Sequence, residues 1–380
     1  MATLASMSSS VIESERHRYR AFFNGKDVIG TPRNSGVIDL FGLSEIDAKR
    51  LHPRAYQHLS DTVRPERMTN NRKSYRDYWW IFAEPRSDWR HCAEELERYI
   101  VTPMTAKHRF FVFLDQAVLP DQGLIPIGLD DAAFLSVLSS SIHLTWTLRQ
   151  GGTLEDRPRY NNSRCFKPFP FPDLTEAQRT RLRSLGEQLD AHRKAQQVAH
   201  PKLTLTQMYN VLEKLRAVER IEGKDREIYD QGLIGILRDI HDQIDAAVAD
   251  AYGWPADLSD EDILFRLVAL NKERAEEEAR GVVRWLRPEY QNPEGKSATK
   301  GETSEMELGP AVAAEKAPWP KTLPDQIAAV REALEDAGEA TPEQIARTFK
   351  RARTASVQPL LESLAALGQA VQTESGTYTV

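Results

Sequence analysis

Prolines at every second position, in the segment FKPFPFP at residues 166–172, constrain the fold of this chain more than any other feature. A proline ring fixes φ at about −65°, removes a backbone donor and pushes the residue before it into an extended conformation. The segment therefore predicts an extended strap that presents three phenylalanine rings. Because Lys167 is its one charged residue, we expect the strap to lie in an apolar groove and to anchor the region before it to the region after it.

Charge is distributed unevenly along the 380 residues, whose net charge is −6. Residues 16–172 contain 23 lysines and arginines against 18 aspartates and glutamates, a balance of +5. Residues 173–380 contain 27 against 36, a balance of −9, and Glu13 and Glu15 account for the remainder. Since charge acts through domains rather than whole chains, the first region is the one suited to a phosphate backbone.

The sequence lacks the segments that mark membrane, secreted and metal-binding proteins. No apolar run approaches the roughly 18 residues that a membrane span needs, and the first ten residues do not have the pattern of a signal peptide. Cys92 and Cys165 have no ligand spacing to other cysteines or histidines, which predicts neither a disulfide framework nor a metal site. We expect a cytoplasmic protein with no metal and no membrane partner.

Hydrophobic periodicity predicts an α+β protein with several regions. We expect a disordered start at 1–15, a mixed α/β domain at 16–172, a helical domain at 173–290, a linker at 291–321 and a winged-helix-like module at 322–380. Short apolar runs in the mixed domain predict buried strands at 37–41, 79–82, 109–114 and 124–129. Helical patterns predict helices at 44–62, 130–149 and 224–251, and helix starts at Thr175 and at Ser259 with Asp262.

The last region has the pattern of a small winged helix. Residues 291–321 are rich in Gly, Ser, Glu, Lys, Ala and Pro, which is typical of a linker. The pattern after it predicts three helices, at 324–337, 341–349 and 354–367. A hairpin of residues 369–373 and 377–380 follows them.

Four groups of basic and amide side chains are candidates for contact with DNA. Lysine and arginine bind phosphates, arginine pairs with guanine, and asparagine pairs with adenine. The groups are Arg33 and Asn34; Asn70, Asn71, Arg72, Lys73 and Arg76; Lys107 and Arg109; and Arg159, Asn161, Asn162 and Arg164. The second group predicts an exposed loop. The alternatives left open are a solvated surface loop for that group and strand-edge charges for Lys107 and Arg109.

The sequence offers no catalytic residue. His143 lies within an apolar helical pattern, which favours a hydrogen-bonded core residue over a catalytic base. Cys165 has no assignable histidine partner, so we expect it to be buried rather than nucleophilic.

Six phrases of the chain, in this order, resemble the target-recognition domain of MmeI-like DNA methyltransferases of fused restriction–modification systems. They are FNGKD at 23–27, VIDLFG at 37–42, RPER at 64–67, YWWIF at 78–82, KHRFFVFL at 107–114 and RYNNSRCFKPFPFP at 159–172. The helical region up to about residue 290 resembles the same family's C-terminal part. The resemblance implies a module that reads double-stranded DNA for methyl transfer from S-adenosylmethionine to adenine N6. The chain departs from the family at Asn34, where many relatives have glycine.

Motifs of the family's catalytic half are missing from this sequence. It contains no Asn-Pro-Pro-Tyr and no glycine-rich segment after an apolar strand, and its Gly151-Gly152 pair follows a helical pattern, where glycine is typical of a helix end. The resemblance therefore implies that S-adenosylmethionine would be bound by a missing catalytic domain. We expect this chain alone to be inactive and to act with a separately encoded methyltransferase catalytic polypeptide.

Two functions of other classes remain as alternatives. One is a transcriptional regulator that binds DNA through the terminal winged helix, although the helix predicted to read bases offers few polar side chains. The other is a structural subunit that binds proteins. This alternative would be favoured if the basic groups lay on different faces of the protein.

Overall fold

We describe the protein from a computed structural model. It describes residues 17–154, 157–293, 295, 317–320, 322–337, 339–350, 352, 354–366, 369–373 and 377–379. The chain divides into two compact units, Met1–Lys300 and Gly301–Val380. The expected disordered start at 1–15 and most of the expected linker at 291–321 lie outside the described residues.

The first unit mixes short strands with helices, which confirms the α+β prediction. Its strands are β1 (Tyr19–Phe23), β2 (Gly36–Ile38), β3 (Arg98–Pro103), β4 (Val112–Asp115), β5 (Leu119–Pro120), β6 (Leu124–Ile127), β7 (Thr153–Leu154) and β8 (Arg157–Pro158). The helices that precede the strap are α1 (Gly25–Ile29), α2 (Glu45–Leu51), α3 (Pro53–Thr62), α4 (Arg64–Met68), α5 (Lys73–Asp77), α6 (Ser87–Ala93), α7 (Ala132–Ser139) and α8 (Ser141–Gln150). Those that follow it are α9 (Glu176–Ala199), α10 (Leu205–Arg216), α11 (Gly223–Gly232), α12 (Ile234–Tyr252), α13 (Asp260–Ala279) and α14 (Pro288–Gln291).

Strand β3 is the centre of the larger sheet. It pairs antiparallel with β4 on one side and β6 on the other, so that Ile100 lies opposite both Phe113 and Ile127. Tyr99, Ile100 and Val101 are fully buried, as expected of a strand with helices against it. A second sheet has the order β2-β1-β5, in which β1 runs parallel to β5.

Helix α9 begins where the sequence predicts. The Thr175 hydroxyl accepts from the backbone of Gln178, and the Gln178 side chain accepts from Thr175 in return, which forms a capping box. Gly186 in this helix faces α7, where a Cβ atom would lie 2.2 Å from the Ala132 carbonyl oxygen. A side chain at position 186 would therefore separate the two helices.

The prediction of a strand at 79–82 is wrong, because these residues form a turn. Trp79 and Trp80 are both buried. Each indole N–H finds a partner: Trp79 donates to the Glu45 carboxylate at 3.2 Å, and Trp80 donates to the Leu43 carbonyl at 3.0 Å. The two rings pack with Ile38 and other residues in a hydrophobic cluster of their own, here called the tryptophan cluster.

Three of the predicted helices are broken. The helix expected at 44–62 is interrupted at His52, which lies between α2 and the Pro53 that begins α3. The helix expected at 130–149 is interrupted at Ser140, which has an extended backbone and whose hydroxyl caps α8 by accepting from the His143 N–H. The helix expected at 224–251 is interrupted at Leu233, which has a left-handed φ of 45°. Periodicity continues across the breaks at Ser140 and Leu233, so the sequence pattern did not reveal them.

The strap of residues 166–172 anchors the structure as predicted. Phe169 is 4% exposed, and its ring centroid lies 4.6 Å from that of His143. Tyr252 of α12 donates to the Pro170 carbonyl at 2.8 Å, and Asn271 of α13 donates to the Pro168 carbonyl. The prediction of an extended segment is wrong at residues 166–168, since Phe166 ends a π-helical turn, Asn162–Phe166, and a turn follows in which Lys167 has a right-handed helical backbone.

One hydrophobic core joins both sides of the predicted boundary at residue 172. It contains Tyr99 and Phe110 from the sheet, Phe169 from the strap, and Leu189 and Ile244 from the later helices. The boundary itself stays a prediction. Among the described residues, no helix has the length and apolar character needed to cross a bilayer.

The second unit contains the elements predicted for a winged helix. Its helices are α15 (Leu323–Ala337), α16 (Pro342–Arg347) and α17 (Thr354–Ala366), and its strands are β9 (Ala317–Pro318), β10 (Glu339–Ala340), β11 (Phe349–Lys350), β12 (Val371–Gln372) and β13 (Tyr378–Thr379). Strands β12 and β13 form the predicted hairpin, and β10 pairs with the other edge of β13. The helices pack on a core that includes Leu334, Leu361 and Tyr378.

Replacing Phe169 tests the anchoring role of the strap. We expect Phe169→Ala to lower the free energy of unfolding by about 3–5 kcal/mol, as truncation of a buried phenylalanine does. Phe265→Ala is the matched control, because Phe265 is 78% exposed; its effect should stay within about 0.5 kcal/mol. Denaturant unfolding measures both, and equal effects of the two substitutions would contradict the anchoring role.

Candidate nucleic-acid interface

Residues 159–167, here called the 159–167 turn, form a rigid polar turn ahead of the strap. The Asn161 side-chain oxygen accepts from the backbone N–H groups of Ser163 at 2.9 Å and Arg164 at 3.3 Å, and so caps the π-helical turn. At its other end, the carbonyl of buried Cys165 accepts from the Trp146 indole at 3.0 Å. Both ends of the turn are thus held by hydrogen bonds.

The backbone under this turn is packed too closely for a side chain. A Cβ atom on Gly151 would lie 2.1 Å from the Arg159 carbonyl oxygen and 3.1 Å from the Cys165 sulfur. Gly151 ends α8, as the sequence predicts. Tyr160 is buried, and its N–H donates to the Met104 carbonyl at 2.7 Å, so the turn is fixed to the segment that follows β3.

Five residues of the 159–167 turn are exposed: Arg159, Asn162, Ser163, Arg164 and Lys167. Arg159, Asn162 and Lys167 line an open cavity of about 280 Å³, together with Met104, Ile125, Tyr160, Asn161 and Ser163. Cations and an amide beside an apolar floor combine phosphate-binding and base-reading chemistry in one small area.

Arg109 points into the protein rather than towards solvent. Its guanidinium donates to the Thr102 hydroxyl at 3.0 Å, to the Pro158 carbonyl at 3.0 Å and to the Pro103 carbonyl. Burial lowers the pKa of Arg109 to about 10. The side chain therefore ties β3 to the strand that leads into the 159–167 turn.

Arg33 is also committed to an internal partner. It forms a bidentate ion pair with Asp27, with two N–O distances of 2.8 Å. Burial would raise the pKa of Asp27, but hydrogen bonds from Arg33 and from the Asn24 backbone outweigh it and lower that pKa. Asn34 has a left-handed φ of 52°, a conformation that glycine adopts most easily.

Only part of the group at 70–76 forms the predicted loop. Asn70, Asn71 and Arg72 lie in a short turn between α4 and α5, whereas Lys73 and Arg76 lie in α5. Arg76 holds this turn by donating to the carbonyls of Asn70 at 2.6 Å and Asn71 at 2.9 Å. Arg72 donates to the Tyr75 hydroxyl at 3.0 Å, and exposed Lys73 lies 3.7 Å from the Asp77 carboxylate.

The structure brings two of the four predicted groups together. A backbone bridge joins Thr105 to Arg159, so the segment that carries Lys107 and Arg109 lies beside the 159–167 turn. The group at 70–76 is packed elsewhere, since Arg64 at the start of α4 stacks over Trp79 of the tryptophan cluster at 5.2 Å. Arg33 and Asn34 follow α1.

A buried polar network was missed by the sequence interpretation. Arg193 is 1% exposed and donates to the Phe111 carbonyl at 2.8 Å and to the Tyr209 hydroxyl. The Tyr209 hydroxyl lies 2.7 Å from His241 Nε2. Burial lowers the pKa of Arg193 to about 9 and the pKa of His241 well below its usual value. Because Arg193 falls in a charged stretch of α9, no sequence pattern marked it as buried.

The residues considered for catalysis have structural roles in this fold. His143 is fully buried, which lowers its pKa to about 3, and its Nδ1 lies 2.8 Å from the Leu138 carbonyl. This confirms the expected hydrogen-bonded core histidine. Burial raises the pKa of Cys165, which disfavours the thiolate. In the described part of the chain, no group of three or more acidic, histidine or cysteine side chains is arranged to hold a metal.

Comparison with solved structures relates this fold to a restriction–modification enzyme. The type IIL enzyme MmeI, solved in complex with DNA, superposes with a TM-score of 0.50 over 69% of this chain, at 18% sequence identity. DNA methyltransferase A of Bacillus subtilis (strain 168) is 24% identical over 181 residues, which are 47% of this chain. The chain resembles part of the MmeI-like restriction–modification enzymes in its fold.

The relationship to MmeI is one of fold and covers only part of the larger proteins. The matched region spans 32% of the MmeI chain and 18% of DNA methyltransferase A. No family model matches the sequence. The MmeI-like fold was predicted from six sequence phrases, and the comparison confirms that resemblance.

Asn161 and Asn162 are neighbours with different roles, and substitution separates them. Asn161→Ala removes the cap of the 159–167 turn and should lower the free energy of unfolding by about 1 kcal/mol. Asn162→Ala is the matched control and should leave it unchanged, because the Asn162 side chain is exposed. Thermal unfolding measures the difference, and a larger effect at Asn162 would overturn these assignments.

Proposed function

We propose that this chain is a sequence-specific DNA-recognition module of an adenine-N6 methyltransferase of the MmeI-like kind. The observation that carries the proposal is the 159–167 turn, where exposed cations and an amide surround a shallow cavity on a rigid base. Rigid backbone placement suits base reading, because a specific hydrogen bond needs a fixed donor and acceptor geometry. The relationship in fold to MmeI, which was solved in complex with DNA, supports the same function.

The exposed residues of the turn divide into two roles in this proposal. Arg164 and Lys167 would bind phosphates, which position the duplex. Arg159 and Asn162 line the cavity and would reach base edges, where arginine pairs with guanine and asparagine with adenine. Asn161 would act indirectly, because its side-chain oxygen already accepts from the turn's backbone.

Methyl transfer would be supplied by another polypeptide. We assign S-adenosylmethionine to that separately encoded catalytic partner, because this sequence has neither the glycine-rich segment nor the Asn-Pro-Pro-Tyr motif of the family. The chain would then select the site at which the partner acts.

DNA binding and its salt dependence test the recognition role. If the chain neutralises about three to five phosphates, log affinity should fall with log salt concentration with a slope of roughly −3 to −5. Replacing Arg164 and Lys167 together with alanine should reduce that slope by about 2. Fluorescence anisotropy with a duplex at several salt concentrations measures both.

Two other double variants accompany this measurement, one as a charge-matched control and one as a test of the group at 70–76. Arg181 and Lys202 are also exposed, so their double alanine variant removes the same charge away from the turn and should keep the slope. Arg72→Ala with Lys73→Ala tests the group at 70–76; Arg76 is left intact because it holds the turn between α4 and α5. A loss of binding with Gln358→Ala on α17, and none with the Arg164 and Lys167 pair, would indicate the winged-helix regulator instead.

Incubation with labelled S-adenosylmethionine tests the division of labour. The purified chain should transfer no methyl groups to mixed-sequence duplex DNA. Adding a catalytic polypeptide with the Asn-Pro-Pro-Tyr motif should give methylation that depends on both components. Reproducible methylation by the chain alone, after host enzymes are controlled for, would disprove the assignment of catalysis to a partner.

A further inference from the structure

Asn210 of α10 reaches the segment that lies beside the 159–167 turn. Its side-chain oxygen accepts from Lys107 Nζ at 2.7 Å and lies 2.7 Å from His108 Nε2. Because the amide oxygen can only accept, His108 must carry its proton on Nε2 in this arrangement. One residue of the later helical region therefore fixes the orientation of two basic side chains from the sheet region.

The helix that carries Asn210 is held firmly against the sheet. The neighbouring residue, Tyr209, packs its ring against those of His108 and Phe110, with centroids 6.1 Å and 6.0 Å away. Its hydroxyl joins the buried network of Arg193 and His241. Asn210 is thus presented from a fixed backbone, so that its hydrogen bonds restrain Lys107 and His108 instead of moving with them.

Glu213 lies almost one helical turn beyond Asn210 and faces the same lysine. Its carboxylate is 3.8 Å from Lys107 Nζ, and the two side chains are 66% and 57% exposed. An ion pair this exposed contributes little to stability. A phosphate would compete with the Glu213 carboxylate for Lys107, since both bind the ammonium through charged oxygens.

We propose that α10 is part of the DNA-binding surface, with Asn210 positioning Lys107 and His108 and Glu213 competing with DNA phosphate for Lys107. The proposal rests on the recognition function proposed above, because Lys107 lies two residues beyond Thr105, which pairs with Arg159. Asn210 is neutral and occupies one of the three ammonium donors, so Lys107 keeps its charge and two donors for a phosphate. Glu213 then weakens binding to any duplex until a phosphate displaces it.

Opposite changes in affinity are expected from the two α10 residues. Asn210→Ala removes the acceptor that orients Lys107 and His108. Duplex binding should weaken about fivefold, which corresponds to the loss of one hydrogen bond. Glu213→Gln removes the competing charge and should tighten binding about threefold to fivefold at low salt. The matched control is Glu219→Gln, which removes the same charge from an exposed position beyond α10 and should change affinity less than Glu213→Gln.

A spectroscopic measurement on the free protein separates positioning from general damage. Nitrogen chemical shifts of the His108 ring report which ring nitrogen carries the proton. We expect the Nε2–H form in the unmodified chain and in Asn210→Asp, and a mixture of forms in Asn210→Ala. Asn210→Asp keeps the shape and the acceptor, so it should fold even where Asn210→Ala does not, and its added charge should weaken DNA binding.

The outcomes distinguish this inference from the function on which it rests. If the unmodified chain binds a duplex with the expected salt slope but Asn210→Asp and Glu213→Gln leave affinity unchanged, the role of α10 is overturned and recognition stands. If Glu219→Gln tightens binding as much as Glu213→Gln, competition at Lys107 is overturned. If the unmodified chain does not bind duplex DNA at all, the proposed function itself fails.

Discussion

The arrangement of the first unit depends on the burial of Phe169 and the hydrogen bonds to the strap around it. Its ring lies against His143 and near Trp146, and the same Trp146 holds the carbonyl of Cys165 at the end of the 159–167 turn. Helices α12 and α13 hold the strap carbonyls of Pro170 and Pro168 from the other side. Alternating prolines supply free carbonyls while removing competing N–H groups, so the strap links helices without needing sheet partners. The position of the 159–167 turn is set by this anchor.

Positive charge in residues 16–172 is less available to a ligand than its balance of +5 suggests. Arg109 and Arg76 hold backbone carbonyls, and Arg33 holds a buried aspartate. A guanidinium has five donors in a fixed plane, which makes it a good organiser of turns as well as a good phosphate ligand. The cations that remain exposed, such as Arg159 and Arg164, therefore carry more of the proposed electrostatic attraction than a count of basic residues implies.

Local signals in the sequence predicted local structure well. Caps at Thr175 and Ser259, the elements of the winged helix and the anchoring strap all depend on residues close together in the chain. Features set by distant partners were not predicted. The turn at Trp79 exists because indole donors meet acceptors more than thirty residues earlier, and Arg193 is buried because its partners come from the sheet and from two other helices. Asn210 carried no signal, since its importance arises only from where α10 lies.

The shared core has a consequence for building recognition modules of altered specificity. Phe110, Phe169 and Leu189 belong to one hydrophobic cluster. If residues up to 172 were transplanted into another protein, Phe110 and Phe169 would lose the packing partners that the later helices supply. Buried Arg193 adds to the problem, because a cut at residue 172 would separate its desolvated guanidinium from the Phe111 carbonyl that accepts from it. The smallest transplantable piece of this fold therefore extends from β1 to the end of α13, which supplies Leu267 to the same core. Exchange of specificity between such proteins is easier by substituting exposed side chains on an intact scaffold.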